Sequence, residues 1–187
     1  EVLDDQALSG SDLSRFDAII TGVRAYNVKE SLNNYYEKLM DYISKGGNLI
    51  VQYNTSNQIG PVKAKIGPYP FTISRTRITD EKAVVTLKKP DQVLFNFPNK
   101  ITSKDFDGWI QERSIYHASN WDSRYETIFT MNDPGESPDD GSLIMTRFGK
   151  GYFVYTGLVF FRELPAGVPG AYRLLANLIA LNQKKGF

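Results

Sequence analysis

Cysteine is absent from all 187 residues, and histidine occurs once, at His117. The first absence excludes a disulfide framework, a thiolate metal site and a cysteine nucleophile. The second is nearly as restrictive: a Ser-His-Asp arrangement would have to use His117, and no two-histidine metal site can be built. No apolar run approaches the roughly 20 residues that span a bilayer. Long runs of one charge are also missing, with 22 basic side chains against 21 acidic ones and a net charge of +1. Nucleic acid and anionic membranes are therefore not expected as main partners.

What is present is an ordinary globular composition, 41% hydrophobic and 23% charged, in a length that suits one large domain over residues 1–187. The opening "EVLDDQ" has neither an initiator methionine nor a signal-peptide pattern. It reads as the tail of a strand, so the chain is expected to be a fragment with structure missing upstream.

Along the chain, "RFDAIITGV" has the profile of a buried parallel strand. Asn27 and Glu30 are spaced as a capping box opening a helix, with Leu32, Tyr35, Tyr36, Leu39, Met40 and Ile43 as its apolar stripe. Gly46 and Gly47 stop that helix, and "NLIVQY" follows as the next strand, completing a right-handed crossover. Residues 60–133 change texture: prolines punctuate short alternating runs, predicting a β-rich insertion with long loops. "SLIMTRFGKGYFVYTGL" predicts a hairpin turning at Gly149-Lys150-Gly151. A last amphipathic helix enters through Pro169 and ends near Lys184 and Lys185.

The order "FDAIITG", helix, "GGNLIVQY", "GKGYFVYTGL", helix resembles the class I glutamine amidotransferase-like fold. A narrower likeness covers about Asp17 to Leu181. "WIQERSIYHASNWDSRYETIFTMNDPGE" and "FGKGYFVYTGLVFFRELPAGVPGAYRLLANLI" look like the C-terminal region of bacterial PIG-L (LmbE-like) deacetylase proteins. The resemblance implies an α/β, three-layer, flavodoxin-like domain with a mainly parallel sheet, here without its first strand–helix unit. It further implies an upstream zinc-dependent amino-sugar deacetylase domain in the same polypeptide and an exported, periplasmic bacterial protein. The family's His-Pro-Asp-Asp type zinc motif does not occur in this sequence, and the amidotransferase cysteine would belong where Tyr53 to Asn57 stand. No catalytic residue, metal ligand or cofactor carries over. The implied role is a noncatalytic accessory or binding domain.

Several residues still carry chemistry worth placing. Thr55 and Ser56 are the hydroxyls at the strand tip, without a glycine-flanked elbow to expose them. With His117 they define the alternative of a small hydrolase; a pure oligomerisation module is the other alternative. Asp133, Glu136, Asp139 and Asp140 crowd one loop of calcium-type ligands, but without EF-hand spacing, and Pro134 and Pro138 mark a plain turn. Trp109, Glu112, Arg113, Trp121 and Asp122 combine indole faces with planar hydrogen-bonding groups, the chemistry of saccharide recognition. The expected site lies on the rim beyond "NLIVQY", where Tyr26, Asn54 and the loop after Gly157 should converge and the insertion should fold over. The Arg162–Glu163 loop should cap that rim.

Overall fold

The structure, a computed structural model, describes residues 1–56 and 65–183. Residues 60–64 of the expected insertion, Asn57, Lys184 and Lys185 lie outside the described residues. In chain order the elements are α1 (Asp5–Gly10), β1 (Ala18–Thr21), α2 (Ala25–Val28), α3 (Tyr36–Lys45) and β2 (Asn48–Gln52). Short strands follow: β3 (Thr72–Ile73), β4 (Arg77–Ile78), β5 (Val85–Leu87), β6 (Ser114–Ile115), β7 (Ala118–Ser119), β8 (Glu126–Thr127) and β9 (Phe129–Met131). The chain then forms β10 (Leu143–Phe148), β11 (Gly151–Thr156), α4 (Phe160–Glu163) and α5 (Pro169–Ile179).

These elements make a mixed α/β protein around a five-stranded sheet in the order β1-β2-β11-β10-β8. Pairings β1–β2 and β2–β11 are parallel, whereas β11–β10 and β10–β8 are antiparallel. The sheet is therefore mixed, not mainly parallel, because the hairpin turns one strand back and β8 joins beyond it. Three further two-stranded sheets, β3–β7, β4–β6 and β5–β9, lie between β2 and β10 in sequence.

Strand alternation divides the core. Ile50, Val154, Leu143 and Met145 belong with Leu174 and Leu178 of α5, Phe95, Phe106, Trp109 and Phe129. Leu49, Val51, Phe153, Tyr155 and Ile144 belong with Leu39, Met40 and Ile43 of α3 and with Tyr125. Successive residues of one strand point to opposite faces, so β2 and β11 are covered on both. Each apolar run is thus buried without polar interruption.

Helix endings follow the glycine signals. Gly46 caps α3 at φ 124°, a conformation that disfavours side chains, and its N–H reaches the Ile43 and Tyr42 carbonyls. The expected single helix from Asn27 does not form. Residues 25–45 comprise α2, a 3-10 stretch (Glu30–Tyr35) and α3. Asn27 does not cap, because its side chain is engaged with the Thr55 backbone in the loop after β2. Among the described residues no helix is long and apolar enough to cross a membrane.

Candidate functional site

The C-terminal ends of β1, β2 and β11 form one rim, the usual ligand position in parallel sheets. Two asparagines fasten its first two loops. Asn54 is fully buried; its Oδ1 accepts the Tyr26 N–H at 2.9 Å and its Nδ2 donates to the Gln52 carbonyl at 3.1 Å. Asn27 answers from the other side, donating to the Thr55 carbonyl and accepting the Thr55 N–H. Arg24 takes left-handed backbone values (φ 60°) and donates its N–H to the Tyr53 carbonyl at 2.8 Å. Tyr26 is buried, and loss of hydration pushes its phenol up to about 12.

The segment carrying β6 covers the same rim. The Ile115 N–H donates to the Gly157 carbonyl at 2.8 Å, and the Val159 N–H reaches the Arg113 carbonyl. Tyr116, at φ 50°, places its ring against Tyr53, with centroids 5.5 Å apart and planes 13° from parallel. Phe161 packs on Tyr53 from another side at 5.5 Å. The Tyr155 hydroxyl ties the layers together, donating to the Tyr116 carbonyl at 2.7 Å and accepting the Asn54 N–H at 3.4 Å. Glu112 is buried beside these rings, bonded to Arg162 Nε at 3.0 Å, with Arg77 3.9 Å away.

Sequence reasoning missed a second constellation. Ser114 and His117 are fully buried, with Ser114 Oγ 2.7 Å from His117 Nε2. His117 Nδ1 is hydrogen-bonded to Asp139 Oδ1. An ionised carboxylate only accepts, so Nδ1 carries a proton and donates it toward Asp139; Nε2 accepts from the Ser114 hydroxyl when the ring is neutral and donates to it when the ring is charged. This is the connectivity of a nucleophile relay. Burial, however, holds the Ser114 hydroxyl away from solvent, with Met131 Sδ at 3.5 Å. Burial raises the Asp139 carboxyl, but the His117 bond, the His117 charge and the Gly141 N–H outweigh it, leaving it below the ordinary carboxylate value. The available signal was the Ser114–His117 spacing in "SIYH".

The expected sugar-recognition group is divided. Trp109 is 3% exposed, packs on Phe106 and Phe160, and donates Nε1–H to the Asp105 carbonyl at 2.9 Å. Its indole presents no free face. Arg113 is buried too, binding the Ala83 and Phe106 carbonyls; burial lowers its pKa, against the pull of nearby carboxylates. Trp121 is half-buried against the opposite face's core, so the sheet separates the two indoles. Asp122 is bonded to the Arg124 guanidinium, which holds its carboxyl down to about 2. Of the seven expected residues, Tyr26, Asn54 and Glu112 contribute to the rim. Glu163 is buried under it, accepting the Ile110 N–H; burial raises its carboxyl above the ordinary value.

The acidic loop is dispersed among different partners. Asp133 accepts the Thr79 and Asp80 N–H groups, Asp139 holds His117, and Asp140 binds Lys88 and Thr130. Among the described residues no group of three or more His, Cys, Asp or Glu side chains is placed to hold a metal ion.

A cleft of about 610 Å³ opens beside the tip of β2. Tyr36, Tyr69 and Phe71 supply aromatic walls, with Thr55 and Ser56 at one end. The Lys65 ammonium lies 5.3 Å from the Tyr36 ring centroid. His117 is not in this lining, so Thr55 and Ser56 are not brought to the imidazole.

No protein-family model matches the chain, and no curated protein sequence matches it. Solved structures do. A cytoplasmic protein from Salmonella typhimurium is similar with a TM-score of 0.58 and 13% identity, over 92% of this chain and 76% of that one. A second cytoplasmic protein, from Salmonella typhimurium LT2, gives 0.55 and 13%, over 92% and 74%. At that identity the likeness shows a shared fold alone. A β-galactosidase from Rahnella sp. R3 gives 0.49 and 15%, over 95% of this chain and 24% of that one, too low a score to argue from.

Proposed function

We propose that the chain is a noncatalytic binding domain of three-layer, class I glutamine amidotransferase-like fold. On this reading it serves a PIG-L/LmbE-like amino-sugar deacetylase domain upstream in the same polypeptide, and its ligand is a saccharide. The observation that carries the noncatalytic part is Asn54. In the family resembled, the nucleophile belongs at the turn after this strand. Here Asn54 is fully buried, with its amide bound to Tyr26 and Gln52. The one imidazole supports the same reading, since both ring nitrogens are engaged by Ser114 and Asp139 and not by Ser56 or Thr55. For the saccharide, the support is the cleft's aromatic walls beside two hydroxyls, a lining suited to the mixed apolar and polar faces of a sugar ring.

Incubating the chain with amide, ester and N-acetylated sugar substrates tests this reading. The expected result is no turnover above buffer; turnover abolished by Ser114→Ala or His117→Ala overturns it. Reading the open reading frame upstream of Glu1 tests the association, with a His-Pro-Asp-Asp type motif as the expected finding. A discrete dimer or trimer that binds no saccharide would instead favour an assembly role.

A further inference from the structure

Left-handed backbone is unfavourable for residues other than glycine and gathers where surrounding structure holds a site in place. Of the four such residues among those described, Arg24, Gln111 and Tyr116 belong to the rim segments; the other is Asn120. Asparagine tolerates this conformation, whereas a tyrosine or arginine is unusual in it. Two of the three strained residues are fastened to Tyr53: Tyr116 by ring stacking, Arg24 by its backbone N–H on the Tyr53 carbonyl. Gln111 directly precedes Glu112, which holds Arg162.

The chemistry gathered there is unbalanced. The Tyr53 hydroxyl makes no hydrogen bond to a described residue, and it is not among the sealed, unpartnered polar atoms. Burial raises the Tyr53 phenol above its ordinary value; the charges of Arg24 and Arg162 oppose that rise, while Tyr116 and Glu112 add to it. Glu112 is itself shared between Arg162 and Arg77. Arg24 is exposed and has no ion-pair partner among the described residues. One edge of the rim thus offers an exposed guanidinium, a half-engaged one and, on the otherwise buried Tyr53, a hydroxyl without a hydrogen bond to a described residue. Beside them lie the half-buried rings of Tyr116 and Phe161. Guanidinium forks match the planar oxygens of carboxylates and phosphates, and aromatic rings receive a ligand's apolar face.

We infer that this rim recognises an anionic group, a carboxylate or a phosphate, carried on a ring-bearing ligand, with Arg24, Arg162 and Tyr53 as its contacts. The inference rests on the reading of the chain as a binding domain and assigns it a second contact surface, whose residues are not in the lining of the cleft beside β2. Its test is separate from the turnover assay. The whole chain is titrated with glucuronate, glucose 6-phosphate and, as neutral control, glucose, at low salt, by calorimetry or NMR shifts. At least one anion should bind about 10-fold more tightly than glucose, and added salt should weaken it. Arg24→Gln and Tyr53→Phe should each weaken that anion by about 10-fold. Arg147→Gln, at the opposite end of the sheet beside the residue facing Asn48, should not. Whether glucuronate or glucose 6-phosphate prevails identifies the anion. Three results overturn the inference: glucose binding as tightly as both anions, neither anion binding, or affinities indifferent to both rim substitutions.

Discussion

Asn27 grips Thr55 from both ends of the residue, donating Nδ2 to its carbonyl at 3.0 Å and accepting its N–H at 2.8 Å. A side-chain amide presents the same donor–acceptor pair as a peptide, so Asn27 continues the β1–β2 pairing past its last backbone rung. Asn54 makes the reciprocal reach to Tyr26. The rim loops are therefore fixed to each other before any ligand arrives.

Removing either amide should loosen the rim. Asn27→Ala is expected to cost about 1–2 kcal/mol in urea unfolding, and Asn54→Ala about 2–3 kcal/mol because it leaves the buried Tyr26 N–H unpaired. Wild-type midpoints for both variants would contradict the clamp.

This clamp also shows what the sequence could and could not disclose. The strand "NLIVQY", the Gly46 stop, the hairpin at Gly149 and the Pro169 helix start were legible, since each depends on local conformational preference. Asn27 was misread because its spacing to Glu30 fits a cap equally well, and only the distant Thr55 decides. Ser114 and His117 are three apart, which in a regular strand would point them to opposite faces. The left-handed turn at Tyr116 brings them together, and nothing in "SIYH" announces a tyrosine at φ 50°. Asp139 was one of four carboxylates in a turn, and tertiary contact alone selects it. Likewise two tryptophans twelve positions apart gave no sign that the sheet would lie between them.

The Ser114–His117–Asp139 relay should appear in acid stability. The Asp139 carboxyl lies below its unfolded value, so its contribution is complete above about pH 4 and is lost as pH falls through the lower folded value. Asp139→Asn should be less stable by about 1–3 kcal/mol at pH 7, and the gap to wild type should narrow as pH falls below about 4. Denaturation midpoints across pH 2–7 measure this; a gap constant with pH would contradict it.

Gly157 lies against the backbone of β6. A Cβ there would fall inside contact distance of the Ile115 carbonyl oxygen and at 3.4 Å from the His117 ring. Gly157→Ala should therefore destabilise by about 1–3 kcal/mol by forcing the β6 segment off the rim. Thermal melts check the stability, and the His117 imidazole NMR signals check the displacement.

The two indoles should behave differently toward a quencher. Acrylamide should reach Trp121 and spare Trp109, so Trp121→Phe should leave emission that is blue-shifted and weakly quenched. Equal quenching of the Trp109→Phe and Trp121→Phe variants would contradict the placement of Trp109 in the core.

Enclosing the sole imidazole has a practical consequence for anyone studying this protein. With His117 sealed and cysteine absent, the surface offers neither of the soft side chains that alkylating labels and immobilised metal ions seek. A single cysteine introduced at Arg24 or Tyr116 would be the one thiol in the chain, free of background reaction. The lone histidine resonance would at the same time report the interior without spectral overlap. Rim and interior can thus be followed independently in one sample, by a dye on the first and a proton signal from the second.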